Sequence, residues 1–126
     1  MKRIVVVSDL HFGSIYGLLP PDYENTDGCK IGQNKAQKYL WACFVDFCDR
    51  VEQFKPHAVI VNGDIVEGTQ RRQGGAELAL RMMTDQKRAA LIGLTVLKQA
   101  AKGVPHYYVQ GTAYHVGENG EYEESI

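Results

Sequence analysis

The chain has 126 residues, of which 44% are hydrophobic and 23% are charged. This length and composition are typical of one globular domain and exclude a second full domain. Fourteen basic residues against fifteen acidic ones give a net charge of -1. That balance excludes a whole-chain electrostatic field that would recruit nucleic acid or an anionic membrane.

The first predicted element is a short β-strand at residues 4–7. Its four residues are all β-branched, a pattern typical of a strand that is buried on both faces in a parallel sheet. The run is too short to span a membrane or to form the core of a signal peptide. Residues 9–32 are rich in Gly, Pro and Asp and predict a long loop.

Two helices and two further strands follow in alternation. An apolar stripe at helical spacing predicts a helix over residues 33–54, which Pro56 ends. Residues 58–61 predict a second buried strand. Residues 76–102 predict a second helix, which Thr84 and Asp85 would interrupt as an N-cap pair. Residues 106–110 predict a third strand.

The last part of the chain is polar. Residues 111–120 predict a loop, and the acidic residues of 121–126 are typical of the first turn of another helix. Because the chain stops one turn into that helix, we expect residues 1–126 to form a single, partial domain. The predicted fold class is α/β, a parallel βαβαβ unit with flanking helices.

Three cysteines bear on the cellular compartment. Their number is odd, and no pair has the Cys-x-x-Cys spacing of a zinc or redox site; they are Cys29, Cys43 and Cys48. Reduced thiols and a cytoplasmic location are therefore expected, with no membrane partner.

Chemically active residues follow each predicted strand. Asp9 and His11 come after the first, Asp64 after the second, and Thr112 and His115 after the third. Right-handed crossovers place these three loops along one edge of a parallel sheet, where open α/β sheets bind ligands. We therefore expect a binding site there.

Asp9 and His11 have the spacing of metal ligands. Residues two apart in extended chain point to the same side and converge on one ion. A carboxylate with an imidazole suits manganese, iron or zinc better than calcium. Asp64 adds a carboxylate whose two oxygens are able to bridge two ions.

The segments Asp9-Leu10-His11 and Gly63-Asp64 resemble the Asp-x-His and Gly-Asp motifs of the calcineurin-like metallophosphoesterases. The resemblance extends over residues 4–115 and implies the N-terminal half of that family's α/β sandwich. It also implies that Asp9 and His11 bind a first metal ion and that Asp64 bridges two. Glu67 stands where the family often has a second Asp, outside the metal shell.

The third motif departs from the family pattern. Gly111-Thr112-Ala113-Tyr114-His115 replaces Gly-Asn-His, and it is similar to a divergent variant of short phage and bacterial members. The resemblance makes Thr112 a candidate metal ligand and His115 a candidate catalytic acid. The family's later histidines have no counterpart after His115, and His57 and His106 precede their strands, at the opposite edge. About half of a two-metal shell is therefore expected.

The function that this resemblance implies is hydrolysis of a phosphomonoester or phosphodiester by two divalent ions, chosen among manganese, iron, zinc and nickel. The expected partner is a phosphate-ester substrate, with nucleic acid as one candidate. An alternative is a non-catalytic half-domain with a structural or vestigial metal site. Such a half-domain would need a partner to cover its open sheet edge, and a second copy of the chain is one candidate. Another is a phosphate- or nucleotide-binding module, although the chain lacks the glycine-rich motifs of such proteins.

Arg71 and Arg72 lie just past the predicted turn at Asp64. As part of a basic stretch they are typical of a solvated helix face. Alternatively, their guanidinium groups bind substrate phosphates through charge-assisted hydrogen bonds. The sequence leaves both interpretations open.

Overall fold

The computed structural model describes residues 1–126 and has an α/β fold. Strands β1 (Ile4–Val7), β4 (Ala58–Asn62) and β5 (His106–Val109) form a parallel sheet in the order β1-β4-β5. Between β1 and β4, an antiparallel hairpin pairs β2 (Tyr23–Glu24) with β3 (Lys30–Ile31). The predicted parallel unit is therefore confirmed. The hairpin lies within the segment that was predicted as a loop. Its strands were not predicted, because two residues are too few to show an alternation of apolar and polar side chains.

Helix α1 (Lys35–Phe54) connects β1 to β4 and closely matches its prediction. It begins at a capping box, in which the Asn34 side chain accepts from the Gln37 amide and the Gln37 side chain accepts from the Asn34 amide. These bonds satisfy backbone donors that a helix start leaves free. The helix ends at Phe54, and the next residue, Lys55, has a left-handed backbone and precedes Pro56.

Helix α2 (Met83–Ala100) connects β4 to β5 and is shorter than predicted at its start. Asp85 does not cap it. Instead, the buried Asp85 carboxylate accepts hydrogen bonds from the Tyr23 hydroxyl, at 3.2 Å, and from the Thr26 amide, at 2.8 Å. Asp85 therefore fixes the β2–β3 hairpin to α2.

The two faces of the sheet differ in their environment. Both crossovers step in the same direction across the sheet, so right-handed connections place both helices on one face; α1 and α2 pack against each other there. On this face Val59 and Val61 are fully buried. The other face is bare, with side chains that are 46% to 59% exposed: Ile4, Val6, Tyr107 and Val109. The expectation of strands buried on both faces is therefore wrong.

The C-terminal part of the chain also differs from its prediction. The loop after β5 contains a one-turn helix, α3 (Ala113–Val116). Residues 121–126 form turns rather than a helix. The Glu123 carboxylate accepts from the backbone amides of Ile65 and Gly111. The side chain thus holds this segment against the loops that follow β4 and β5.

All three cysteines are unpaired, with Cys29 and Cys43 exposed and Cys48 buried. Burial, with a smaller effect of the Asp49 charge, raises the pKa of the Cys48 thiol to about 11. None of the helices has the length together with the apolar character that a membrane crossing requires.

Candidate metal centre

Backbone hydrogen bonds join the loops after β1 and β4 beyond the ends of the strands. The amide of Asp9 donates to the Gly63 carbonyl at 3.2 Å, and the amide of His11 donates to the Asp64 carbonyl at 3.0 Å. The amide of Phe12, whose side chain is fully buried, donates to Ile65 in the same way at 2.8 Å. The loops are therefore held to each other and to the core.

Glycines allow the loops after β4 and β5 to touch. A Cβ atom on Gly63 would lie 2.6 Å from the Gly111 Cα, and one on Gly111 would lie 2.3 Å from the Asp64 amide nitrogen. A Cβ on Gly68 would lie 2.3 Å from the His115 carbonyl oxygen. No side chain fits at these three positions without moving the backbone that carries Asp64 and His115.

Three of the predicted ligands have left-handed backbones: Asp9 at φ 56°, His11 at φ 46° and Asp64 at φ 50°. Such a conformation costs a non-glycine residue about 1 to 2 kcal/mol. Residues with strained backbones of this kind are concentrated at functional sites. The extended geometry assumed for Asp9 and His11 is therefore wrong. Their side chains still approach, with Asp9 Oδ1 at 3.6 Å from His11 Nε2.

His11, Asp64 and His115 come together as one group of potential metal ligands. Each offers one ligand atom, and these atoms all lie within 4.8 Å of one another. All three side chains are partly buried. Asp9 lies at the edge of this group, with a side chain that is 65% exposed. The structure thus brings His115, the residue predicted as the catalytic acid, among the predicted ligands.

Thr112 contacts Asp64 directly. Its amide donates to Asp64 Oδ1 at 2.7 Å, and its hydroxyl donates to the same oxygen at 3.1 Å. The two bonds fix the carboxylate and leave Asp64 Oδ2 as the less occupied oxygen. Thr112, predicted as a ligand, is therefore placed beside the group and acts in this structure as a hydrogen-bond donor to Asp64.

Glu67 contacts the imidazoles of both His11 and His115. The Glu67 carbonyl oxygen lies 2.8 Å from His115 Nδ1. Because a carbonyl oxygen only accepts, Nδ1 of His115 is the protonated nitrogen, and the lone pair of the neutral ring is on Nε2. The Glu67 carboxylate lies 2.9 Å from His11 Nδ1, although this contact is not aligned as a hydrogen bond.

Glu67 is itself buried and fixed. Its side chain is 11% exposed, and Gln70 Nε2 donates to its Oε1 at 2.8 Å. The Gln86 side chain holds the next residue, Gly68, by bonds to both its amide and its carbonyl. Glu67 was expected to lie outside the metal shell, and no contact was predicted for it. The sequence signal that could have revealed a contact is the short spacing between Asp64 and Glu67, which places both residues in the loop after β4.

The donor set fits a divalent metal ion. Two imidazoles with one carboxylate are a ligand set of catalytic zinc and iron sites, which keep other positions open for water or substrate. Metal-bound histidines commonly donate their second nitrogen to a carboxylate or a carbonyl. The Glu67 carbonyl is such an acceptor for His115, and the Glu67 carboxylate lies close to His11.

The remaining predicted residues lie outside this group. Arg71 and Arg72 form a short 3-10 turn and are exposed. They do not contact the group but line a cavity next to it. His57 and His106 lie at the amino ends of β4 and β5, as expected, and His57 Nδ1 accepts from the Arg3 amide at 3.0 Å.

In comparisons with known proteins, no family model and no curated protein matches this chain.

Proposed function

We propose that this chain is a metal-dependent phosphoesterase of the calcineurin-like type. The observation that carries the proposal is the convergence of His11, Asp64 and His115 at the carboxyl edge of the sheet, with ligand atoms within 4.8 Å of one another. The contacts of Glu67 with both rings support it, since they leave a nitrogen on each ring for an ion.

The ion would be held by His11, Asp64 and His115, with the Asp9 carboxylate near His11. Manganese, iron, zinc and nickel all accept such ligands. When bound, a divalent ion polarises a phosphoryl oxygen and lowers the pKa of a bound water. The family resemblance also implies a second ion beside Asp64, with Thr112 as a ligand. This second ion is part of the proposal.

The hydrogen bonds favour a role for His115 as a ligand over its role as a catalytic acid. Its Nδ1 donates to the Glu67 carbonyl. If Nε2 holds the ion, no nitrogen of the ring is left to protonate a leaving group. The leaving oxygen then takes its proton from water, and Thr112 keeps the Asp64 carboxylate in position.

The test measures manganese binding and hydrolysis of p-nitrophenyl phosphate and bis(p-nitrophenyl) phosphate. We expect hydrolysis that requires the metal. The Asp64→Asn variant should lose about 100-fold or more in rate. The matched control is Asp46→Asn, which changes an exposed carboxylate on α1 and should keep full activity.

Three results would contradict the proposal. Absence of metal-stimulated hydrolysis of both esters would overturn it, and so would an Asp64→Asn variant as active as the control. Manganese binding that is lost in Asp64→Asn, without hydrolysis of either ester, would favour the non-catalytic half-domain.

A cytoplasmic location is part of the proposal. It is supported by the three unpaired cysteines, since a reducing compartment keeps thiols free.

A further inference from the structure

The cavity that Arg71 and Arg72 line lies beside the candidate metal centre. It has a volume of about 270 Å³, and its lining includes Arg71, Arg72, Tyr114, Glu118 and Tyr122. Tyr114 directly precedes His115 in the chain, and the two rings meet edge to face with centroids 5.0 Å apart. A molecule whose phosphate lies at His115 is therefore able to extend into this cavity.

The Tyr114 ring is held in place from several sides. Its hydroxyl donates to the Gln73 side chain, and the Arg72 guanidinium lies 5.4 Å from the ring centroid. The His115 ring packs against the Tyr114 ring edge to face. A fixed tyrosine paired with an arginine offers a flat surface on which planar heterocycles stack.

The other lining residues suit the same kind of group. Tyr122 adds a second aromatic side chain, and Glu118 adds an acceptor for ring or exocyclic amino groups. The two arginines outnumber the one carboxylate, which favours an anionic ligand over a cationic one.

A larger cavity, of about 510 Å³, lies beside β5 and differs in its charge. The charged side chains that line it are Lys98, Glu123 and Glu124, so carboxylates outnumber cations there. Glu123 is also occupied with the Ile65 and Gly111 amides. The smaller cavity is thus the better site for part of a phosphate ester.

We propose that the cavity lined by Tyr114 and Arg72 binds the base of a nucleotide whose phosphate lies at the metal centre. The inference rests on the proposed function and names its substrate class, a nucleotide or nucleic-acid phosphoester. The base stacks on the Tyr114–Arg72 pair, and Arg71 provides charge for a neighbouring phosphate.

The first experiment measures binding, so that its result does not depend on hydrolysis. Titration calorimetry compares adenosine 5′-monophosphate with ribose 5-phosphate on the whole chain without added metal, so that neither ester is hydrolysed. The two ligands share the sugar and the phosphate and differ in the base. We expect the nucleotide to bind about tenfold more tightly, as one stacked base provides. Equal affinities would overturn the inference.

Variants locate the stacking surface. In Tyr114→Leu, the affinity for adenosine 5′-monophosphate should fall to that for ribose 5-phosphate, whereas Tyr114→Phe should keep most of the difference. The control is Tyr39→Leu, a tyrosine on α1 that is 71% exposed, and it should bind as the unaltered chain does. Equal loss in Tyr114→Leu and Tyr114→Phe, with both folded by circular dichroism, would contradict stacking.

The two proposals fail in different ways. Preference for the nucleotide without hydrolysis of any ester would leave the base site and refute the phosphoesterase. Hydrolysis of p-nitrophenyl esters without preference for the nucleotide would leave the phosphoesterase and refute the base site.

Discussion

Glu67 contacts both histidines of the candidate metal centre. Its carboxylate faces His11, and its main-chain carbonyl faces His115. The rings lie edge to face, with centroids 4.6 Å apart, so a rotation of one ring disturbs the other. A substitution at this position therefore tests whether the orientation of the imidazoles matters for metal binding.

The Glu67→Gln variant keeps the size of the side chain and removes its charge. The main-chain contact with His115 is retained, so the effect should come through His11. We expect manganese affinity to fall by about 10- to 100-fold, the usual effect of losing a partner of a metal-bound histidine. Titration followed by electron paramagnetic resonance measures it.

The control for this substitution is Glu52→Gln, which removes an exposed carboxylate from α1. It should leave manganese affinity unchanged. A Glu67→Gln variant that binds manganese as tightly as this control would show that Glu67 has no part in the metal site.

The members of the site were more predictable from the sequence than their arrangement. His11, Asp64 and His115 stood out because each follows a strand. The left-handed backbones of Asp9, His11 and Asp64 were not predictable, since nothing local to those residues requires them. The contacts of Glu67 and Glu123 depend on tertiary structure, and helix-start chemistry was the wrong interpretation of Glu123.

The loops after β4 and β5 approach each other closely at glycine residues. Gly63 and Gly28 have nearly the same φ, 76° and 78°. A Cβ on Gly28 would meet nothing within 4 Å, whereas one on Gly63 would meet the Gly111 backbone. This pair separates the cost of a left-handed alanine from the cost of a clash between loops.

Gly28→Ala should lower the free energy of unfolding by about 1 to 2 kcal/mol, the cost of the left-handed conformation alone. Gly63→Ala should lower it by about 1 to 3 kcal/mol more, because the added methyl group overpacks the contact. Urea denaturation measures both variants. Equal losses would mean that the two loops separate without cost.

The β2–β3 hairpin is held to α2 through a tyrosine that should respond to alkaline pH. Burial raises the pKa of Tyr23 from 10.0 to about 12, and the Asp85 charge contributes in the same direction. The unfolded chain loses this proton near pH 10, while the folded chain keeps it. The stabilisation is therefore complete below pH 10 and is lost as the pH rises from 10 to 12.

The Tyr23→Phe variant lacks this titration. Its free energy of unfolding should be lower than that of the unaltered chain by about 1 kcal/mol at pH 7, because one hydrogen bond is lost. The difference should shrink as the pH rises above 10. Urea denaturation at pH 7, 10 and 11 measures it, and a constant difference would contradict the assignment.

Elements with a long, regular pattern were predicted well, and short ones were not. The strands β1, β4 and β5 and the helix α1 were predicted nearly to the residue. The helix α2 starts later than predicted because the backbone of residues 77–80 bonds to Gly13 and Ile15 instead of forming a helix. The one-turn α3 has too few residues to show a period.

For the whole molecule, the main consequence of the topology is the bare face of the sheet. A run of β-branched residues has the same sequence whether one face or both are covered, so this asymmetry was not predictable from composition. The direction of the two crossovers determines it. The bare side chains form an apolar surface on the two edge strands, β1 and β5: Ile4, Val6, Tyr107 and Val109.

A dye that binds exposed apolar surface should report on this face. We expect the chain to enhance the fluorescence of anilinonaphthalene sulfonate, and Val6→Lys to reduce that enhancement. Val45→Lys places the same charge on an exposed valine of α1 and should reduce it less. Equal reductions would mean that the dye does not bind the sheet.

The parallel sheet also has a consequence for how the chain folds. The β1–β4 ladder joins segments about 54 residues apart, as the Arg3–His57 bond at its start shows. The entropy of closing so long a loop is lost before the ladder forms, and such non-local pairing is slow. During synthesis β1 therefore remains an unpaired apolar strand until β4 has been synthesised. Throughout that interval it is open to pairing with another nascent chain.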